Sequence, residues 1–349
     1  MRLELAARPT CEEANRSRWR GQPHHMEIWQ LSLSDPRSRT SFWIRYSLHA
    51  GPDGGLSTAR LWFSSYVLDG RGGEVARYVE QPLFLRIADQ EVFALELADG
   101  RLTSQRAVGR LDTPEGEVSW DLSWSSQEPP FSLLPWPLLG VAERLGRGAF
   151  VAAPAALFSG TVRIGQRHFE LSRAPGTQSH QFGRRAWERW VHFRCSSFDD
   201  APDAWIEGLA FPLATRPGFL ATCSRAEVCS TVLRWNGRRV SLEDPLSLVG
   251  SLARPTPAGL LLHLEGARLR IRGLVRTAPD DFVLLGHQGA RGKGSLLHTE
   301  VGQAELRVEE RSLLDRRWRE TGRLLADHRF QWEYSGSWTD PRVGRKMLP

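Results

Sequence analysis

The stretch Ser41-Phe-Trp-Ile-Arg-Tyr-Ser-Leu48 decides the fold class of this chain. Its even-numbered positions are all apolar or aromatic, whereas its odd-numbered positions carry Ser, Trp, Arg and Ser. Successive side chains of a β-strand point to opposite faces, so this period of two is typical of a strand with one face toward a core. The stretch therefore predicts a half-buried β-strand.

The same pattern extends outward through most of the chain. Gly, Pro, Asn and Asp separate the alternating runs, as turns between short strands require. Helical patterns are confined to residues 137–146 and 311–325. Many short strands with frequent turns predict barrels or sandwiches and a helix content below about a fifth. The alternating runs cover residues 27–33, 59–68, 92–97, 120–124, 161–170, 187–198, 205–212, 218–223, 260–273, 282–285, 296–308 and 328–338.

Length and composition indicate a globular protein of two domains. The chain has 349 residues, of which 41% are hydrophobic and 25% charged. That length exceeds what a single core usually supports, and that balance disfavours extensive disorder. Tryptophan is abundant, with 14 Trp against four Tyr. Large rings of this kind fill cores or line cavities for apolar ligands.

The net charge of +6 does not indicate a nucleic-acid partner. The positive charge is almost entirely Arg, with Lys only at Lys293 and Lys346, and it is interspersed with carboxylates instead of clustered on one element. No run approaches the roughly 20 apolar residues of a spanning helix, and the first residues lack the apolar run of a signal peptide. We therefore expect a soluble, cytoplasmic protein without a transmembrane segment. Peripheral contact with a membrane and the oligomeric state stay open.

The cysteines and histidines do not predict a metal or redox site. Cys11, Cys195, Cys223 and Cys229 match no zinc or redox spacing and are predicted to be buried thiols. The histidines also lack ligand spacing. No phosphate-binding glycine loop and no nucleophile elbow occurs, so nucleotide-dependent and triad hydrolase chemistry are disfavoured. No cofactor is predicted.

The most distinctive segment lies in the middle of the chain. It contains Phe158-Ser-Gly, then Gly176-Thr-Gln-Ser-His-Gln-Phe-Gly183, then Trp190-Val-His-Phe-Arg-Cys-Ser-Ser-Phe198. This segment resembles the central signature of the family that includes hydroxyneurosporene synthase, a carotenoid hydratase, and tocopherol cyclase-like proteins. The stretch at residues 41–48 is similar to the start of that family's first domain. The likeness covers about residues 41–198.

The resemblance implies an all-β fold of two tandem lipocalin-like (calycin) antiparallel β-barrels with few short helices. We place the N-terminal barrel at residues 1–165 and the C-terminal barrel at residues 166–349, with the signature opening the second. The resemblance also implies a hydrophobic, isoprenoid-like or polyketide-like ligand such as a carotenoid. One departure stands out: the family has His-Asn-Trp-Gly where this chain has His180-Gln-Phe-Gly183. Phe stabilises a carbocation less well than Trp does, which weakens the carotenoid hydratase assignment.

Hydration or cyclisation of an isoprenoid double bond needs an acid, aromatic faces around the cation and a shaped cavity, and no cofactor. The candidate proton donors in or near the signature are His180, His192, Glu188 and Glu207, and we expect His180 and Glu207 to face one shared space. The expected ligand contacts are Gln178, Gln181, Phe182, Trp190, Trp43 and Trp62. At least one barrel is expected to hold an apolar cavity lined by several Trp.

Two other classes of protein remain open at this level. A non-catalytic carrier of a lipid or pigment needs only the cavity. A scaffold or interaction protein needs neither cavity nor acid, and its Trp side chains would pack against one another. Conversely, His180 in a glycine-bounded turn could serve only to fix that turn.

Overall fold

The structure is a computed structural model, and the part of the chain that it describes is nearly all β. It describes residues 9–20, 22–51, 58–68, 73–82, 86–87, 92–97, 99–113, 116–135, 146–184, 189–212, 227–289, 292–312, 315 and 317–336. Helices there are short: α1 (Cys11–Asn15), α2 (Pro245–Gly250) and a 3-10 turn at Pro279–Asp281. None of the helices in these ranges is long and apolar enough to cross a membrane.

The first sheet has 12 antiparallel strands in the order β4-β3-β2-β1-β12-β11-β9-β8-β7-β6-β5, with β10 beside β11. Strands near opposite ends of this path touch, since β3 contacts β6 and β4 contacts β8. The sheet therefore curls into a barrel. Its strands are β1 (His25–Asp35), β2 (Thr40–His49), β3 (Thr58–Val67), β4 (Gly73–Pro82), β5 (Arg86–Ile87), β6 (Ala94–Leu97), β7 (Gly100–Thr103), β8 (Arg106–Thr113), β9 (Gly116–Ser125), β10 (Phe131–Ser132), β11 (Gly148–Ile164) and β12 (Arg167–Arg184).

The second sheet has 10 antiparallel strands in the order β16-β15-β14-β13-β22-β21-β19-β18-β17, with β20 beside β21. It curls in the same way, because β17 contacts β13 and β15. Two tandem antiparallel barrels are thus confirmed. The strands are β13 (Trp190–Cys195), β14 (Trp205–Pro212), β15 (Glu227–Trp235), β16 (Arg238–Leu242), β17 (Leu252–Thr256), β18 (Gly259–Glu265), β19 (Leu269–Arg276), β20 (Val283–Gly289), β21 (Gly292–Glu310) and β22 (Arg319–Ser335).

Both faces of the strands at the centre of the molecule are buried. In β2, every residue from Thr40 to Leu48 is buried, although apart from Trp43 only the even-numbered positions from Phe42 to Leu48 are apolar. The apolar face packs into the core of the first barrel, and the other face packs against the second barrel. The half-buried strand predicted at residues 41–48 is therefore a fully buried strand. The hydrophobic cluster between the barrels includes Trp43, Trp62, Tyr66, Trp190, Trp205, Leu209, Val232, Leu285, Leu296 and Val301.

Two glycines of the central signature are required by close approach of neighbouring strands. A Cβ added to Gly160 would lie 2.0 Å from the backbone oxygen of Asp121, and Gly160 has a φ of +136°. A Cβ at Gly176 would lie 2.4 Å from the backbone oxygen of Ser32. Only glycine allows contacts this short. The signature thus encodes the packing of β11 and β12 into the first barrel.

The strand pairing corrects the expected second helix and shows where the predicted domain boundary falls in the sheets. The described residues of the predicted helix at 311–325 are not helical, because β22 begins at Arg319 and pairs with β21. The predicted boundary between residues 165 and 166 falls at the turn of the β11–β12 hairpin. Since β12 also pairs with β1, the change of sheet lies between Arg184 and Trp190. The helix predicted over residues 137–146 and the strand over residues 218–223 fall almost wholly outside the described residues.

Candidate functional site

A buried chain of alternating carboxylates and imidazoles lies between the two barrels. Glu207 Oε1 contacts His192 Nε2 at 2.8 Å, and His192 Nδ1 contacts Glu333 Oε1 at 3.2 Å. Glu333 Oε2 contacts His298 Nδ1 at 3.4 Å, and His298 Nε2 contacts Glu300 Oε1 at 2.8 Å. These five residues, at most 3% exposed, are called the carboxylate–imidazole chain below. They come from β13, β14, β21 and β22 of the second barrel.

The first barrel supplies hydrogen-bond donors to both ends of this chain. Thr177 Oγ1 on β12 donates to Glu207 Oε2 at 3.3 Å, and Ser32 Oγ on β1 donates to Glu300 Oε2 at 2.5 Å. Thr177 and Ser32 are themselves direct partners across β1 and β12. The polar groups therefore form a loop that spans both barrels. The middle is held by Gln30, whose Nε2 lies 3.3 Å from Glu333 Oε1.

Hydrogen bonding determines the protonation of the central imidazole. Both ring nitrogens of His192 face carboxylates, and both can donate only in the doubly protonated ring. Burial alone would lower the pKa of His192, but its hydrogen bonds to Glu207 and Glu333 raise that pKa above its usual value. Burial alone would raise the pKa of Glu333, yet His192 and His298 lower it well below its usual value. Both pKa shifts favour a protonated His192 beside an ionised Glu333.

Aromatic rings cover one side of the carboxylate–imidazole chain. The indole of Trp43 stacks on the ring of His298 at a centroid distance of 4.2 Å and an angle of 24°. Trp43 Nε1 also donates to Gln30 Oε1 at 3.4 Å. Tyr66 lies beside His298, and burial raises the pKa of its hydroxyl well above the usual value. Titratable groups and π faces therefore adjoin one another between the barrels.

His180 belongs to a second cluster, at the end of the first barrel that α1 covers. Its Nδ1 lies 2.7 Å from the backbone oxygen of Ala14, and its Nε2 lies 2.8 Å from Glu27 Oε1. Its ring stacks on Trp29 at 4.6 Å. Burial would raise the pKa of Glu27, but the hydrogen bond with His180 and the nearby imidazole of His25, 3.8 Å away, lower it to about 2. His180 and Glu27 thus fix the N-terminal segment against the barrel.

The strand geometry separates His180 from Glu207, contrary to the expected shared space. In β12, Thr177 and Gln181 point toward the carboxylate–imidazole chain, where Gln181 Nε2 lies 3.4 Å from His192 Nδ1. His180 is on the opposite face of the same strand. Glu207 and His192 are brought together, whereas His180 is not in contact with either among the described contacts.

The residues expected to contact the ligand are divided between the same two places, the interface of the barrels and the cluster around His180. Trp43, Trp62 and Trp190 are buried between the barrels. Gln178 accepts a hydrogen bond from Asn15 Nδ2 at 3.1 Å, and Phe182 stacks on Phe150 beside α1. Both therefore belong with His180. Glu188 lies outside the described residues.

Three members of the carboxylate–imidazole chain were not predicted from the sequence: His298, Glu300 and Glu333. His298 and Glu300 stand two residues apart in an alternating run, so a shared face was the available signal. Nothing in the sequence connects them to His192, more than 100 residues earlier. In the described part of the chain no group of His, Cys, Asp and Glu is arranged to hold a metal ion.

The barrel interiors contain packed rings. In the first barrel Phe63 stacks on Trp120 at 5.7 Å, and Trp124 packs on Phe158 at 5.1 Å. The described residues also form open surface clefts, one of about 520 Å³ beside Glu96 and Arg106. No Trp lines these clefts, so the predicted Trp-lined cavity stays a prediction.

Comparison with known proteins supports the fold. No model of a known protein family matches the sequence. An uncharacterised protein of Mycobacterium tuberculosis, recorded in strains CDC 1551 and H37Rv, is 27% identical over 296 residues, which cover 84% of this chain and 83% of that protein.

Two solved structures resemble the chain as a whole. An AttH-like protein of Nitrosomonas europaea gives a TM-score of 0.53 at 11% identity, covering 89% of this chain and 92% of its own. Kievitone hydratase of Nectria haematococca gives 0.51 at 9% identity, covering 94% and 97%. At these identities the likeness shows the fold alone. The chain shares its overall fold with these two structures.

Proposed function

We propose that this protein binds a hydrophobic, isoprenoid-like or polyketide-like small molecule between its barrels and hydrates or cyclises it without a cofactor. The contact of 2.8 Å between His192 Nε2 and Glu207 Oε1 carries this proposal. It holds an exchangeable proton in a site that is closed to bulk water and bordered by Trp43. The fold shared with kievitone hydratase supports the same chemistry.

The residues have distinct parts in the proposed reaction. The proton held by His192 and Glu207 adds to one alkene carbon, which leaves a cation on its neighbour. In this proposal the indole of Trp43, which borders the carboxylate–imidazole chain at His298, stabilises this cation. In hydration, a water oxygen bonds to the cationic carbon and the proton that it loses returns to Glu207. In cyclisation, a second double bond of the ligand attacks the cation, and loss of a proton to Glu207 ends the reaction.

Substitution of Glu207 by Gln tests the proposal. Glu207→Gln keeps the size of the side chain and removes its capacity to take up a proton. We expect turnover of an isoprenoid or polyketide substrate to fall by about a hundredfold, the usual contribution of one general acid. Ligand affinity, measured by quenching of Trp fluorescence, should change little. Glu170→Gln, whose carboxylate is 85% exposed, is the matched control.

The outcomes also distinguish the other classes of protein. An apolar ligand that binds without any product would identify a carrier. A folded protein that responds to no apolar ligand would favour a scaffold. Unchanged turnover in Glu207→Gln would contradict the assignment of the proton to this residue. A cytoplasmic location stays a prediction from the sequence.

A further inference from the structure

Arg194 is a buried cation that the carboxylate–imidazole chain does not use. It lies on β13, two residues after His192 and on the same face, and it is 2% exposed. Its closest acidic contact is between Nη2 and Glu300 Oε1, at 3.7 Å, which is too long for a hydrogen bond. Its Nε and Nη1 have no hydrogen-bond partner among the residues that the structure describes.

The carboxylates around Arg194 already have other donors. Glu207 receives its hydrogen bonds from His192 and Thr177. Glu300 receives its hydrogen bonds from His298 and Ser32.

Glu333 is likewise occupied, by His192, His298 and Gln30. All six carboxylate oxygens of the chain therefore have a closer partner than Arg194. Burial of a guanidinium is costly unless an acceptor pairs with it, so its two N–H edges are suited to an oxygen from another molecule.

We propose that Arg194 binds an oxyanion of the ligand, such as a carboxylate or an enolate. This inference rests on the proposed function and narrows its substrate class: an apolar molecule with an acidic oxygen, and not a pure hydrocarbon such as a carotene. A guanidinium is planar and keeps its charge, so it pairs with such oxygens by charge-assisted hydrogen bonds. Arg194 is a binding and orienting residue here, since the proton is held by His192 and Glu207.

Farnesoate and its methyl ester test this inference, because they share one apolar tail and differ in the charge of the head group. Dissociation constants are measured by quenching of Trp fluorescence at pH 7.5. We expect the wild-type protein to bind farnesoate on the order of tenfold more tightly than the ester, the effect of a charge-assisted hydrogen bond. In Arg194→Met the two constants should become equal, through weaker binding of the acid alone. Arg194→Lys should retain part of the preference.

Arg234→Met is the matched control, because Arg234 is paired with Glu128 at 2.6 Å, and it should keep the wild-type preference. A wild-type protein that binds acid and ester equally would overturn the inference and leave the proposed function standing. A preference that survives in Arg194→Met would also overturn it. A wild-type protein that binds neither probe would overturn the inference, and the proposed function would fall with it only if neutral isoprenoids and polyketides fail to bind as well.

Discussion

Replacement of Glu27 by Gln should destabilise the protein by about 3 kcal/mol at pH 7. The carboxylate is fully buried, accepts from the backbone N–H of Arg18 at 2.6 Å and contacts His180 Nε2 at 2.8 Å. These contacts lower its pKa from 4.5 to about 2. A difference of one pKa unit between folded and unfolded states corresponds to about 1.4 kcal/mol, which gives the stated loss.

The pH dependence of this loss has a defined sign. Because the pKa of Glu27 is lower in the folded state, its contribution is present above about pH 4.5 and is lost as the pH falls toward 2. Urea denaturation should therefore show a difference between wild type and Glu27→Gln that is full at pH 7 and shrinks between pH 4.5 and 2. Glu170→Gln, with an exposed carboxylate, is the control and should match wild type throughout.

The result also tests the role assigned to His180. If Glu27 and His180 fix the N-terminal segment, Glu27→Gln should loosen that segment while ligand affinity stays near that of wild type. Amide exchange at residues 11–18 reports this loosening directly. A stability change below about 0.5 kcal/mol at pH 7, the range of ordinary surface substitutions, would refute the reasoning.

Two further predictions concern backbone packing and the central imidazole. Gly160→Ala should cost several kcal/mol by thermal unfolding, because its Cβ would meet the backbone oxygen of Asp121 at 2.0 Å. Gly237→Ala, with a φ of +73° and nothing within 4 Å, should cost only about 1 kcal/mol, and equal losses would contradict the steric argument. His192 has a raised pKa in the folded state, so its stabilising contribution is full below about pH 6.5 and is lost as the pH rises through the folded pKa. In denaturant titrations, wild type should lose stability as the pH rises from about 6.5 through the folded pKa, whereas His192→Gln should not. His263→Gln, which replaces a partly exposed imidazole, should behave like wild type.

The fold class was available from the sequence because strand geometry is local. An alternating stretch such as residues 41–48 needs no distant partner to be recognised, and turn residues separate it from its neighbours. The central signature predicted the tandem barrels. Gly160 and Gly176 explain part of its sequence, because the strands there approach too closely for any side chain. The local pattern gave a wrong prediction at residues 311–325, where a weak apolar stripe resembled that of an amphipathic helix. Pairing of β22 with β21 decided that segment.

Only some residues of the candidate site could be predicted from the sequence. Alternation correctly placed His192 on one face of its strand, and Glu207 on the next strand became its hydrogen-bond partner. The same alternation places His180 on the face of β12 that points away from His192 and Glu207. To predict this, one must know to which barrel β12 belongs. That strand belongs to the first sheet because it pairs with β1 and β11.

The remaining members of the site were decided by the packing of one barrel on the other. Glu300 and Glu333 lie on strand faces whose polar residues would be solvent-exposed in an isolated barrel. Docking of the two sheets buries those faces, and buried charges must then find partners, so Ser32 and Thr177 of the first barrel bond to carboxylates of the second. The sequence determined which side chains share a strand face, through a periodicity that is local. Which faces meet is a property of contacts between residues far apart in the chain, and only the tertiary structure decides it.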